Sequence, residues 1–328
     1  MANNTDNKSL SSAKGPKRYK FNMEDRNAAV FCYIMLGVPF LFFLVFWFYV
    51  NISSIFMAFV DVHGKISFSN FKTVFDAVVG EDMYGWNLAN AVFRTMRLWF
   101  YVNILCVLPS MVSSYVLYKK MFGAYVFRTI FMIPTILGGM VWVMIMKYMV
   151  ATNGPVIPIL QSFGIEFSNG VIKGGLLGHP STAFSTIAII NVLPHIVGFN
   201  IIISGAYARI PNELFEVGKL EGHGFIREFF TISVPLIWPT IVVSMIGNLA
   251  SIITFDGNVF LYTKGQNETA TMGFYLYYMT FMIAGSADVM NPFYGYPAAV
   301  GVVATLITIP LVLLGKYVLE KAVETVEY

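Results

Sequence analysis

The sequence predicts an all-α membrane protein with six transmembrane helices, and three observations predict it. Of 328 residues, 57% are apolar or aromatic, 30 are Phe and only 12% are charged, against roughly one quarter charged in soluble globular proteins. Mean hydropathy is +0.67. The apolar residues gather into six runs near the length of about 20 that a helix needs to cross a bilayer. The net charge of +3 is small, and its basic residues sit in short clusters rather than in the stripe that nucleic-acid binding requires. Cys32 and Cys106 both lie inside apolar runs, where free Cys behaves as a small hydrophobe, so neither a disulfide framework nor a metal site follows.

In chain order, residues 1–27 read as a polar tail and 28–52 as the first transmembrane helix, with its apolar core over Ala28–Val50. That run is too long for the apolar region of a signal peptide and is expected to be retained. Residues 53–97 lead to the second run, Leu98–Tyr118, and the very short hairpin Lys119–Ala124 leads to the third, Tyr125–Val150. Ala183–Ala208, Ser233–Phe255 and Pro297–Leu319 complete the set, so 98–319 forms the core and 320–328 a second tail. Cytoplasmic flanks carry the excess of Lys and Arg. The N-terminal tail, the hairpin region to Arg128, the stretch from Arg209 to Arg227 and the C-terminus hold 14 of the 21 basic residues. The other side holds seven, offset by carboxylates that include Asp61, Asp76, Glu81 and Asp82. Both termini are therefore expected in the cytoplasm, with 53–97 extracytoplasmic.

What the runs lack narrows the mechanism. Carriers coupled to protons or sodium keep ionisable residues near the midplane, and none of the six cores contains Asp or Glu. Gly64-Lys65, Gly218-Lys219 and Gly315-Lys316 are followed by Ile, Leu and Tyr, so no phosphate-binding Gly-Lys-Ser/Thr loop exists. No His-Glu-x-x-His pattern or nucleophile, base and acid set marks an enzyme.

The segment 208–232 is the most informative. Pro211 suits the first turn of a helix, Glu213 and Glu216 fall near its positive end, and Gly222 and Gly224 can stop it. Leu214, Val217, Gly218 and Glu221 follow i, i+3, i+4, i+7 spacing and predict one side of a short surface helix. On pattern alone, such a helix also suits the lipid head groups. Ile210-Pro211, Glu213-Leu214, Glu216, Gly222, Phe229, Ile232, Pro235 and Pro239 resemble, in register, the EAA loop of binding-protein-dependent ABC importer permeases. This chain has Val217-Gly218 where that family prefers Ala-Ala, Glu221 where it prefers Asp, and His223 where it prefers a small residue.

Further segments, in the same order, are similar to the maltose-type sugar permeases: Ser67–Lys72, Asn90, Phe127–Ile130 with Pro134, Asn153–Val156 with Leu160 and Gly164, and Phe255-Asp256 with Leu261–Gly265. The resemblance implies the ABC importer permease fold and a cytoplasmic coupling helix made of Glu213, Glu216, Val217, Gly218, Glu221, Gly222 and His223. It implies one half of a permease heterodimer, two ATPase subunits that hold ATP and Mg, an extracytoplasmic solute-binding protein, and a saccharide as solute. The chain itself is expected to bind no cofactor, to be no enzyme, and to sit in the cytoplasmic membrane of a prokaryotic cell. The alternatives are a permease for a peptide, amino acid or phosphonate and, outside the superfamily, a secondary carrier.

Two groups of polar residues can touch a solute. Asn191 and His195 share a face of the fourth run beside Pro194, and Ser244, Asn248 and Ser251 form a stripe on the fifth. They serve either a cavity or hydrogen bonding between helices. Arg94 and Arg97, with Asn90 and Tyr101 on the same face at the outer end of the second run, serve as an anion-accepting rim for an acidic saccharide, as snorkelling anchors, or as a docking point for the binding protein.

Overall fold

A computed structural model describes residues 23–61, 63–80, 87–120, 123–283 and 294–322. The outermost parts of both expected tails, 1–22 and 323–328, lie outside the described residues, as do Glu81 and Asp82. The described chain is helical, with one isolated bridge between Val60 and Ile66. It divides into two compact units, Met1–Ser54 and Ile55–Tyr328.

Helix α1 (Asn27–Ala58) begins in the first unit. Phe31, Tyr33, Phe40, Phe46 and Trp47 are all exposed along it, which is the surface of a helix solvated by lipid rather than water.

In the second unit, α2 (Ser69–Val79) precedes α3 (Leu88–Tyr118). The long helix α3 starts ten residues before the expected Leu98, because the Asn87 side chain accepts from the Asn90 N–H at 2.9 Å and caps it. Leu88, Ala91, Thr95 and Leu98 then form one buried face. The third run is not one helix: α4 (Ala124–Ile136) and α5 (Gly139–Met149) meet at 104°. Leu137 and Gly138 are extended there, and paired glycines at 138 and 139 supply the least helix propensity of any residue but Pro. A short α6 (Val156–Ser162) follows. Helix α7 (Pro180–Tyr207) runs alongside α3, and α8 (Asn212–Leu220) is the short helix predicted from the 208–232 segment. The next helix, α9 (Phe225–Leu249), starts before the expected Ser233 and so takes Glu228 into its first turns. A short α10 (Met272–Tyr277) and the long α11 (Gly295–Lys321) complete the unit. Five described helices are long and apolar enough to cross a membrane, and the count is six when the bent α4–α5 pair is taken as one broken span.

Helices α3 and α7 are joined by a polar seam. Asn200 donates to Ser113 Oγ at 2.8 Å, and Ser114 Oγ donates to the Asn200 carbonyl at 3.3 Å. Lipid cannot satisfy such groups, so in a bilayer they hold helices together. The seam fixes the frame on which α8 and two cavities are built.

Candidate functional site

The short helix α8 is held by the residues it buries and is terminated by a glycine. Phe215 and Gly218 face inward, while Glu213, Leu214, Glu216 and Val217 are exposed. Of the predicted side through Leu214, Val217, Gly218 and Glu221, only Gly218 is buried, and the packed face runs through it and Phe215. Phe215 is the larger ring and takes the core position, with about 1.5–3 kcal/mol of burial free energy behind it. Gly218 admits the approach of Ile232, whose Cδ1 would lie 2.5 Å from an added Cβ. Gly222 has φ +77°. Its N–H donates to the Lys219 carbonyl at 3.0 Å, and the His223 N–H donates to the Gly218 carbonyl at 2.9 Å. Those two bonds are the Schellman arrangement that closes a helix through a left-handed residue. His223 folds back with Nε2 3.6 Å from Glu221. The outcome is a rigid helix presenting Val217, 52% exposed, and Leu220, 88% exposed, beside acidic groups.

Beneath α8 lies a cluster that the sequence did not announce. Tyr118, at the end of α3, packs against Phe215 with ring centres 5.3 Å apart, and its hydroxyl donates to Asn212 Oδ1 at 2.8 Å. Lys119 reaches over the Phe215 ring at 4.5 Å and forms an ion pair with Glu228. Glu228 is only 4% exposed and also accepts from the Tyr115 hydroxyl at 2.9 Å. The end of α3, all of α8 and the start of α9 are therefore tied at one point.

Farther along α7, the predicted polar stripes separate. His195 and Asn248 border a cavity of about 340 Å³ together with Pro194, Gly198, Phe199 and Ile202. His195 Nδ1 lies 2.9 Å from the Asn191 carbonyl, and its ring meets Phe255 edge-on at 5.6 Å. Asn191 is elsewhere: it is buried, donating to the Ile187 and Gly257 carbonyls at 2.8 and 3.0 Å. It pins α7 to the loop after α9. The hydroxyls of Ser244 and Ser251 donate to the carbonyls of Thr240 and Asn248 on their own chain segment. Asn248 Nδ2 donates to the Ser244 carbonyl at 3.0 Å, and its own carbonyl accepts from Trp99 Nε1 at 2.9 Å. Of the five residues, two touch the cavity and three are structural in their bonding.

The two arginines also part company. Arg94 lies 3.8 Å from Glu268. Arg97 instead stacks on Phe184, its guanidinium carbon 3.8 Å from the ring centre, and lines a second cavity of about 510 Å³ with Tyr101, Ser181 and Ser185. A joint fork of the two residues is not formed, because the strained turn carrying Lys264, Asn267 and Glu268, all at positive φ, brings a carboxylate to one of them.

No family model matches the chain. Among curated proteins, it is 24% identical over 286 residues to a probable ABC transporter permease protein, YurN, of Bacillus subtilis, covering 84% of this chain and 94% of the relative. It is 25% identical over 228 residues to a probable starch degradation products transport system permease protein, AmyD, of Thermoanaerobacterium thermosulfurigenes, covering 67% and 73%. The fold matches the crystal structure of a bacterial ABC transporter involved in the import of the acidic polysaccharide alginate, with TM-score 0.73 at 18% identity, over 92% of this chain and 99% of that one. A second structure of a bacterial alginate ABC transporter, in complex with alginate pentasaccharide-bound periplasmic protein, gives TM-score 0.74 at 19% identity, over 93% and 99%. The chain thus has the fold of an ABC importer permease, and in sequence it is similar to permease proteins of ABC transporters, a permease for starch degradation products among them.

Proposed function

We propose that the chain is the transmembrane permease subunit of an ATP-driven, binding-protein-dependent importer for a saccharide. Helix α8 carries this reading. An amphipathic helix normally turns its apolar residues inward, yet α8 leaves Val217 and Leu220 exposed beside Glu213 and Glu216 while Phe215 anchors it from behind. That surface suits the cleft of an ATPase subunit. Glu213, Glu216, Val217 and Glu221 are the contact side in this reading, and Gly218, Gly222 and His223 hold the shape of the turn. Closure of two ATPase subunits around ATP and Mg, which this chain does not bind, displaces α8 as a rigid body. A second permease subunit completes the pathway, and an extracytoplasmic solute-binding protein delivers the saccharide. The positive bias of the flanks puts α8 and both termini on the cytoplasmic side of a prokaryotic cell membrane. The cavity beside His195 and Asn248 is then this chain's share of the solute path.

Purification of the tagged chain from its own membrane in mild detergent tests the assignment. An ATPase chain is expected to co-purify and hydrolyse ATP, and Glu216→Lys is expected to lose that chain while still inserting into the membrane. ATP turnover by the isolated chain, or saccharide uptake with no ATPase bound, overturns it.

A further inference from the structure

Ser181, Ser185, Ala188, Val192, His195 and Phe199 follow one another along α7 at alternating steps of four and three residues, which keeps them on a single helix face. The first four line the 510 Å³ cavity and the last two the 340 Å³ cavity. The two spaces therefore share that face of α7, the smaller extending round to Pro194, Gly198 and Ile202, and the larger lies toward the end away from α8. Its volume falls in the usual range for small-molecule sites, about 300–1,000 Å³.

Arg97 is the charge at this larger cavity. It stands nine residues into α3, roughly 14 Å from the helix start, among Leu105, Ala188 and Ile189. Its side chain is exposed rather than packed into the helix core, and an ionisable residue on a membrane-spanning helix points to function. Arg94 is answered by Glu268. Among the described residues, no carboxylate lies within ion-pair distance of Arg97. Phe184 occupies one face of its guanidinium and fixes the plane, which leaves the N–H edge, the part that holds a carboxylate bidentately, for a ligand. Tyr101 and Ser185 supply hydroxyls beside it.

We propose that this cavity is a solute vestibule that selects saccharides bearing a carboxylate, with Arg97 as the selecting residue. The proposal rests on the saccharide-import reading above and narrows its substrate class. The test uses the complete transporter in proteoliposomes, supplied with uronate di- to tetrasaccharides and with the same oligosaccharides after reduction of their carboxyl groups to alcohols. Wild-type protein is expected to take up the acidic set preferentially. Arg97→Gln should lower acidic uptake at least about tenfold, the scale of a lost charge-assisted pair, and neutral uptake by much less. Arg97→Lys should recover part of the loss, and Arg94→Gln should leave the preference intact. Neutral uptake without acidic preference, or an equal loss of both solutes in Arg97→Gln, overturns the vestibule and returns Arg97 to an anchoring role while the import function stands. Failure to import either set in wild-type protein counts against both readings, and retained ATPase binding at α8 then separates a wrong solute class from a wrong transporter assignment.

Discussion

Replacing Lys119 by Met removes the cation from Glu228, the one carboxylate buried among the described residues. The Met side chain keeps the apolar packing over Phe215, so the change is mainly electrostatic. Breaking a buried pair by deleting one partner destabilises by about 3–5 kcal/mol, because the other charge stays behind uncompensated. Here the Tyr115 hydroxyl still donates to Glu228, which places the expected loss near the lower end, about 3 kcal/mol. Glu228→Gln should be milder, since the Lys119 side chain is 19% exposed and can turn toward water. The double variant Lys119→Met, Glu228→Met removes both charges and should recover most of the loss, as apolar replacements of buried pairs usually do. The assay is the fraction of detergent-solubilised protein that remains monodisperse after a series of heat steps. Lys119→Met should drop the midpoint by roughly 5 °C or more, with the double variant close to wild type. A single variant within one degree of wild type, or a double variant that simply adds the two losses, refutes the idea that a desolvated pair holds this joint.

Gly222→Val should impair uptake by distorting the end of α8, since φ +77° disfavours any residue with a Cβ by roughly 1–2 kcal/mol and a β-branched one most. Gly222→Asn should retain more transport than Gly222→Ala, and the reverse order would show that the left-handed turn is not what matters. In the loop after α9, burial pushes the Asp256 carboxyl above the ordinary carboxylate range, opposed by the Thr271 hydroxyl and the backbone N–H groups of Phe260 and Val259. The folded state thus holds this proton at a pH where the unfolded chain has released it, so stability falls as pH rises through the raised pKa. Asp256→Asn should lack that fall, and heat-step midpoints from pH 4 to 8 should show the variant gaining on wild type toward the alkaline end; a constant difference across that range would contradict the sign.

Composition and run length made the membrane class and span number legible, because exclusion of polar groups from hydrocarbon acts on every residue of a span. Local chemistry did the same for α8: Pro211, the early carboxylates and Gly222 are start and stop signals carried within a dozen residues. Helix edges were less legible where a capping residue lay outside the apolar run, as Asn87 does for α3. The break at Gly138-Gly139 was masked by uninterrupted apolar flanks. The pairing of Lys119 with Glu228 had no local signal at all. The two are more than one hundred positions apart, and each reads alone as an ordinary basic or acidic flank. The sorting of Asn191 from His195 was hidden for a related reason. Both lie on one face of α7, and only the Gly257 carbonyl, supplied by a distant loop, decides which of them is consumed by structure.

Helix α3 connects these pieces. Tyr118 at one end touches α8, and Lys119 just beyond it binds the start of α9. Arg97 and Tyr101 lie some twenty residues earlier, about 30 Å along the axis, where they wall the larger cavity. A wider turn of π type over Phe100–Ile104 runs through that wall, with Arg97 before it and Tyr101 within it, and such turns recur at functional positions. A displacement of α8 thus has a path toward the cavity, which enters α3 through the contacts of Tyr118 with Asn212 and Phe215 and continues along the helix by its backbone hydrogen bonds. Because Asn200, Ser113 and Ser114 lock α3 to α7, the two helices that wall the larger cavity must shift together. The π-type turn is the place where the end bearing Arg97 can lag behind.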